Sequence, residues 1–213
     1  MSQCLRTQPQ WVDSNLNDTH PLMKGGPEEP YIYEAATQTY GVGDLVYVDS
    51  SGWIAICTLT GVRLNSAVAG IAVQAATNNA SGAVANTYLR AIRKDDIFAM
   101  NVFHATPASA VTAQNLLGTV RGVRKDTLTQ FGTSITAWGV DIENAVEGGA
   151  DALARVKIIG FVQRGLIFEA DGTVQTNKAV AIGDTYGLVL VQFLPWSAAS
   201  DFNPFIRILQ FDT

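Results

Sequence analysis

The chain has 213 residues, of which 47% are hydrophobic and only 15% are charged, and its formal net charge is −5. An ordinary soluble domain carries roughly 25% charged residues. This chain therefore either buries much of its surface against partners or relies on neutral polar side chains to hydrate that surface. The length suits one domain, or one domain with an arm, and the acidic balance without Lys/Arg blocks excludes the electrostatic footprint of a nucleic-acid-binding protein.

Residues 1–30 form an N-terminal segment whose composition differs from the rest of the chain. Its apolar residues follow neither a helical nor a strand period. They are Leu5, Trp11, Val12, Leu16, Leu22 and Met23. Two interpretations remain open, a disordered leader or an extended arm that becomes ordered on a neighbouring surface. Because leaving Trp11, Leu22 and Met23 in water is unfavourable, we prefer the extended arm.

From residue 31 onward, short runs of β-forming residues alternate with turns. These runs lie at residues 31–33, 45–48, 53–57, 68–73, 87–92, 119–124, 135–141, 155–162, 166–168, 188–194 and 205–211. Residues 97–103 are ambiguous between a strand and a helical turn. Ser109 can begin a short helix over residues 110–117 that Gly118 would end.

Many short strands at about 8–12-residue spacing, with almost no helix, predict an all-β fold. We expect a compact antiparallel β-barrel or sandwich over residues 31–213. An extended N-terminal arm over residues 1–30 and at most one short helix complete the prediction.

A Gly-Asp pair precedes a run of β-formers twice in the chain. Gly43 and Asp44 precede residues 45–48, and Gly183 and Asp184 precede residues 188–193. We interpret both pairs as turns that lead the chain into a strand. The first pair also follows Gly41, which resembles the start of a dinucleotide-binding fingerprint. The third glycine is missing and strand formers follow, so no phosphate site is predicted.

The sequence contains no recognisable catalytic or metal-binding motif. His20 and His104 each lack a nearby His or Cys ligand, and we expect His104 to hydrogen-bond to backbone at the end of a strand. Asp95 and Asp96 are expected to form a solvated turn, rather than an acid–base pair or part of a calcium loop. We therefore predict neither an enzyme nor a bound metal or cofactor.

The cysteines and tryptophans have expected roles in packing and in contacts. Two cysteines make no disulfide framework, and Cys57 is expected to be a buried apolar residue. Trp53 and Trp138 lie among β-formers and are expected in the core or in a subunit contact, although a sugar-binding platform is the alternative. Trp11 and Trp196 lie outside the predicted strands and are candidate anchors in a partner's pocket.

Residues 1–10 lack the apolar core of a secretory signal, and no apolar run approaches the ~20 residues that span a bilayer. We therefore expect synthesis in a cytoplasm and no contact with a membrane, and the lack of Lys/Arg blocks predicts no contact with nucleic acid.

Several segments resemble those of capsid decoration proteins, also called cement or auxiliary head proteins, of tailed bacteriophages. The similar segments are residues 43–49 (GDLVYVD), 52–53 (GW), 69–72 (AGIA), 96–104 (DIFAMNVFH), 156–161 (VKIIGF) and 183–193 (GDTYGLVLVQF). The resemblance implies a compact β domain that binds the outer capsid surface in many copies, often as dimers or trimers. The implied partners are the major capsid protein and further copies of this chain.

We therefore predict a structural virion protein that bridges major capsid protein subunits and stabilises the shell. The predicted contact residues are Leu5, Trp11, Leu16, Leu22, Met23 and Trp196. A carbohydrate- or receptor-binding module on the virion and a tail or baseplate component are the alternatives. An enzyme of unknown mechanism comes last.

Overall fold

The computed structural model describes residues 9–12, 29–31, 33–64, 66, 68–80, 87–92, 96–130, 132–145, 155–162, 167–168, 174–175 and 180–194. In chain order the strands are β1 (Gln10–Val12), β2 (Glu29–Tyr31), β3 (Leu45–Val48), β4 (Ile54–Ile56), β5 (Leu59–Thr60), β6 (Arg63–Leu64), β7 (Gly70–Ala72), β8 (Thr87–Ala91), β9 (Ile97–Phe103), β10 (Val120–Gln130), β11 (Thr133–Ala145), β12 (Arg155–Phe161), β13 (Ile167–Phe168), β14 (Val174–Gln175) and β15 (Leu188–Phe193). The predicted all-β class is confirmed. Within these ranges no helix is long and apolar enough to cross a membrane.

Five strands close into a β-barrel in the order β9, β15, β12, β10, β11 and back to β9. Strand directions cannot alternate around a ring with an odd number of strands, so one neighbouring pair must be parallel. That pair is β9 and β11, which run side by side over residues 101–103 and 139–141. The other four pairs of the ring are antiparallel. Residues 97–103, ambiguous in the sequence, form a barrel strand.

One edge of β9 is shared by two strands. The start of β9 pairs with β1, with Trp11 opposite Phe98. Its end pairs with β11, with Val140 opposite Val102. The N-terminal segment therefore contributes a strand to the barrel sheet, which no local sequence pattern predicted.

The second sheet is antiparallel throughout, in the order β2, β8, β7, β3, β4. The segment that contains β2 reaches both edges of this sheet. Its first residues pair with β8, and Glu34 then makes a bridge to Ile54 on β4. A short β5–β6 hairpin attaches to the barrel where Arg63 lies opposite Arg124.

The barrel and the second sheet share one hydrophobic core. The sheet side contributes residues that include Leu45, Ile71 and Ile92, which pack with barrel residues. The largest fully buried side chains of the barrel in this core are Trp138, Phe98, Met100 and Ile158. Burying each such side chain stabilises the fold by about 1.5–3 kcal/mol. The predicted core position of Trp138 is confirmed, since it is 1% exposed.

A buried carboxylate fixes the start of the second sheet. The Oε2 atom of Glu34 accepts hydrogen bonds from the Tyr40 hydroxyl at 3.2 Å and from the Thr77 amide at 3.0 Å. Its Oε1 atom accepts one from the Thr77 hydroxyl at 3.2 Å. Burial, and then the adjacent Glu34 charge, raise the pKa of Tyr40. The phenol therefore remains a hydrogen-bond donor to the carboxylate.

The predicted helix over residues 110–117 is wrong. The structure instead has two 3₁₀ turns, Pro107–Ser109 and Gln114–Leu116. The backbone between them bonds to residues 181–186: Thr112 N donates to Asp184 O at 3.0 Å, and Val111 bridges Thr185. These tertiary bonds replace the i→i−4 bonds of a helix, which two turns of sequence are too short to secure alone.

Candidate docking site

Two four-residue turns, residues 41–44 and 181–184, have matching geometry. In the first turn, Gly41 N donates to Asp44 Oδ2 at 2.9 Å, and Asp44 N donates to Gly41 O at 3.1 Å. In the second, Ala181 N donates to Asp184 Oδ2 at 2.8 Å, and Asp184 N donates to Ala181 O at 3.2 Å. We call these segments the docking turns.

The sequence explains why both segments fold in this way. The third residue of each turn has a positive φ, +90° at Gly43 and +88° at Gly183, where glycine carries no steric penalty. The fourth residue is Asp, whose short carboxylate accepts a hydrogen bond from the first amide of the turn. The repeated Gly-Asp pair is therefore a turn device, as the sequence predicted.

Each docking turn holds an apolar side chain in water at its second position. Val42 is 59% exposed and Ile182 is 55% exposed, the largest fractions for large hydrophobic residues in the described part of the chain. Scattered exposed hydrophobic residues are ordinary on protein surfaces. Two matching turns that present them at the same position form a specific pattern, which suits insertion into shallow apolar depressions on a partner.

Asp44 also joins its turn to the barrel. Its Oδ1 atom accepts a hydrogen bond from Trp138 Nε1 at 2.8 Å and pairs with the Lys125 ammonium. The Lys125 nitrogen lies 5.1 Å from the centroid of the Trp138 ring, within the range of a cation–π contact. Since all three side chains are at least four-fifths buried, the cluster fixes the first docking turn relative to the β10–β11 hairpin.

Asp184 joins its turn to residues 110–113 instead. Gly183 N donates to Thr112 O at 2.8 Å, and Asp184 N contacts Thr112 Oγ1 at 3.1 Å. At the next glycine, Gly187, an added Cβ would lie 2.3 Å from Thr112 Cγ2. Close backbone packing therefore holds the second docking turn.

The sequence-predicted contact residues are not part of the docking turns. Trp11 is the central residue of β1, and its backbone pairs with that of Phe98. The other predicted contact residues lie outside the described residues: Leu5, Leu16, Leu22, Met23 and Trp196. Their role in partner contact stays a prediction.

Three other residues discussed above contact neighbours within the fold: Cys57, His104 and Trp53. Cys57 is buried as expected, and burial raises the pKa of its thiol to about 12. His104 Nδ1 accepts a hydrogen bond from Thr106 N at 2.9 Å, as expected of a strand-end residue. Trp53 is partly buried, and its ring centroid lies 6.4 Å from that of the exposed Tyr33.

A second polar cluster surrounds Arg124, on the face of the hairpin opposite to Lys125 and Trp138. Its guanidinium nitrogens lie 2.8 Å from Asp126, 3.2 Å from Glu143 and 3.7 Å from Asp141. The side chain is only 4% exposed, so the carboxylates compensate a buried cation. In the described ranges no group of three or more His, Cys, Asp or Glu side chains is arranged to hold a metal ion.

Sequence reasoning did not identify Val42 or Ile182 as contact residues. The available signal was the repeated Gly-Asp pair, which marks a turn, combined with an aliphatic residue two positions before each Asp.

No protein-family model, curated protein or solved structure matches this chain.

Proposed function

We propose that this chain is a capsid decoration protein, which binds the outer surface of a bacteriophage head and bridges major capsid protein subunits. The observation that carries the proposal is the pair of docking turns. Each turn is fixed by an Asp carboxylate and presents one apolar side chain to solvent, Val42 or Ile182. A structural role of this kind requires no catalytic group, cofactor, nucleic acid or membrane.

The energetics of such docking suit a protein present in many copies. Covering one exposed Val or Ile side chain contributes about 1–2 kcal/mol, which alone gives weak binding. When Val42 and Ile182 of one chain contact different shell subunits, the two weak interactions strengthen each other through effective concentration. Because the protein binds the assembled shell and not the dissociated subunits, its binding stabilises the shell by mass action.

Two features of the sequence support the same function. The resemblance to decoration proteins includes residues 43–49 and 183–193, which contain the glycine and aspartate of both docking turns. The low charged fraction of 15% also favours a chain that covers its surface in an assembly. The proposed location is the outer capsid surface of the virion, with synthesis in the host cytoplasm.

The test is co-sedimentation of purified protein with shells that lack it. We expect the V42S/I182S double variant to bind at least tenfold more weakly than the unchanged chain, since about 1.4 kcal/mol corresponds to tenfold. The matched control is L59S/I159S, at two other exposed apolar positions (39% and 36% exposed). Equal binding by the unchanged chain and V42S/I182S would contradict the proposal, as would equal loss in the control.

The proposed contacts of the N-terminal arm (residues 1–30) require a separate test on the same shells. Removal of residues 1–8 deletes the predicted anchor Leu5 and leaves the β1 strand intact. Replacing Leu16, Leu22 and Met23 together by serine removes the remaining aliphatic anchors of the arm. We expect each change to lower shell occupancy, and unchanged occupancy in both would remove the arm from the proposed interface.

A carbohydrate-binding module on the virion is the second candidate, and one observation favours it. Tyr33 is 43% exposed and its ring stands beside that of Trp53 at an angle of 45°. Aromatic rings that reach the surface offer apolar faces on which sugar rings can stack. Trp138, the other proposed platform residue, is buried and cannot take part. Glycan-array binding that is lost in W53A and retained in V42S/I182S would favour this function over shell docking.

A further inference from the structure

The β10–β11 hairpin extends well beyond the part that the barrel uses. The two strands pair continuously from Gly122 opposite Asp141 to Gln130 opposite Thr133. On their outer edges, β10 pairs with β12 and β6 only up to Arg124, and β11 pairs with β9 only over residues 139–141. In the described part of the chain, residues 126–130 and 133–138 have no strand on their outer edges. We call residues 126–130 and 132–137 the hairpin arm.

The hairpin arm lacks the features that protect an exposed strand edge. Natural edge strands carry charges, prolines or bulges that prevent pairing with another chain. No charged residue and no proline occurs between Asp126 and Asp141. The register shift in this hairpin lies at residues 121–122, outside the arm. An edge that lacks these features, and that has no neighbouring strand among the described residues, favours pairing with a partner strand.

The hairpin arm is held in place by the fold. On one face, Leu128 and Ile135 pack against a buried cluster that includes Phe103 and Tyr186. The rings of those two aromatic residues meet edge to face at 6.1 Å. A partner strand would therefore meet a template that is already ordered, which lowers the entropy cost of binding.

The opposite face of the arm is lined by hydroxyl groups. Thr127, Thr129, Ser134 and Thr136 are all exposed. The Thr127 and Thr136 hydroxyl oxygens lie 2.8 Å apart, within hydrogen-bond distance. Cross-strand Thr and Ser pairs of this kind stabilise neighbouring strands by about 0.2–1 kcal/mol each, and they are self-complementary because a hydroxyl both donates and accepts.

The absence of charge favours a second copy of this chain as the partner. Around a twofold axis, each residue near the axis lies close to the same residue of the other copy, so a charge there would lie close to a like charge. The whole chain carries a net charge of −5, and two copies therefore repel each other elsewhere on their surfaces. The part of the hairpin arm that follows Asp126 carries no charge, and two copies approach there with the least repulsion.

The outer edge of β11 is better suited to this contact than that of β10. The β10 side of the arm begins at Asp126, directly after Arg124 and Lys125. On β11 no charged side chain occurs before Asp141. We infer that residues 133–137 of β11 pair antiparallel with the same residues of a second copy, which joins two barrels through a continuous sheet. This inference is independent of shell binding.

The experiment measures self-association of the purified full chain by sedimentation equilibrium. We expect a dimer whose association constant falls at least tenfold in S134K and in T136K, because the lysines of the two copies would be diagonal neighbours across the axis, within reach of mutual repulsion. The matched control is T39K, which adds the same charge at another exposed threonine. The T129K variant places the charge on β10 opposite Ser134, and we expect it to weaken the dimer less than S134K.

Hydrogen exchange of those 133–137 amides that point away from β10 identifies the occupant of the outer edge, because the alternate amides are already bonded within the hairpin. We expect protection that increases with protein concentration and is lost in S134K. A monomeric unchanged chain would overturn the inference, as would a dimer that S134K and T136K leave intact. Protection independent of concentration would show that this chain's own residues cover the edge. Protection that appears only with added shells would assign the edge to a shell subunit, and both results would exclude the second copy.

Discussion

The two docking turns are alike in local structure and different in their surroundings. Each has a glycine of positive φ and an Asp carboxylate that accepts the first amide of the turn. The first turn is joined to the barrel through the charge of Lys125 and the indole of Trp138, whereas the second packs closely on Thr112. Local sequence therefore determines the shape of a turn, and distant residues determine how much the fold depends on it.

The largest expected effect follows removal of the Asp44 carboxylate. D44A leaves a mostly buried ammonium and a buried indole N–H without their acceptor, at a cost of about 3 kcal/mol. Denaturant unfolding measures this free energy. In D44N the amide oxygen still accepts from Trp138, so we expect a smaller loss. An effect of D44A below about 1 kcal/mol would show that Lys125 and Trp138 do not depend on this carboxylate.

D184A is expected to destabilise the fold by about 1–2 kcal/mol. The variant removes the acceptor of the Ala181 amide, and losing such a hydrogen bond costs this amount. D44A, in contrast, removes the acceptor of both the Lys125 ammonium and the Trp138 indole N–H, so we expect the larger loss there. The same denaturant series compares the two, and an equal loss in D44A and D184A would remove the proposed difference in anchoring.

The two glycine variants, G43A and G183A, are expected to lower the free energy of unfolding by similar amounts. G43A and G183A each force an L-residue into the left-handed region, which costs about 1 kcal/mol. At Gly183 an added Cβ meets no atom within 4 Å, so the cost there is conformational. Unfolding free energies that differ between the two variants by more than about 1 kcal/mol would indicate different backbone strain in the two turns.

The surroundings of the first turn also predict a dependence on alkaline pH. Burial, with a smaller contribution from the nearby Asp44 charge, raises the pKa of the Cys57 thiol to about 12. Above about pH 9 the unfolded chain releases this proton while the native state keeps it, so native stability falls as pH rises towards 12. We expect a shallower fall in C57A over this range, measured by denaturant unfolding. Parallel curves for the two proteins would contradict the assignment.

The smallest expected effect on stability follows substitution of the exposed Val42 and Ile182 side chains. V42S and I182S replace exposed side chains, so each should change the free energy of unfolding by less than about 0.5 kcal/mol. Thermal unfolding of both variants checks this expectation. A larger loss would mean that Val42 or Ile182 packs within the fold rather than standing free for a partner.

The strands were predictable wherever the sequence signal is local. Runs of β-formers such as those at residues 45–48 and 188–193 became strands, and Cys57 and Trp138 became buried. The parallel pairing of β9 with β11 was not predictable, because it depends on ring closure by distant segments. The helix over residues 110–117 failed because bonds to residues 181–186 replaced helical ones.

The candidate site was predictable only in part. The repeated Gly-Asp pair indicated two turns, since the chemistry of glycine and aspartate acts within four residues. That Val42 and Ile182 stand exposed at the tips depends on how each turn sits on the rest of the fold. The link from Asp44 to Trp138 likewise joins residues far apart in sequence, and no periodicity reports such a contact.

An image of shells decorated with the purified protein tests most directly whether the docking turns bind the shell. We expect density for the protein on the outer surface, with residues 41–44 and 181–184 of each copy facing the shell and the two tips on different capsid subunits. Shells without added protein provide the control. Decorated shells in which both turns face solvent would contradict shell docking through Val42 and Ile182, and shells without added density would contradict the proposed function itself.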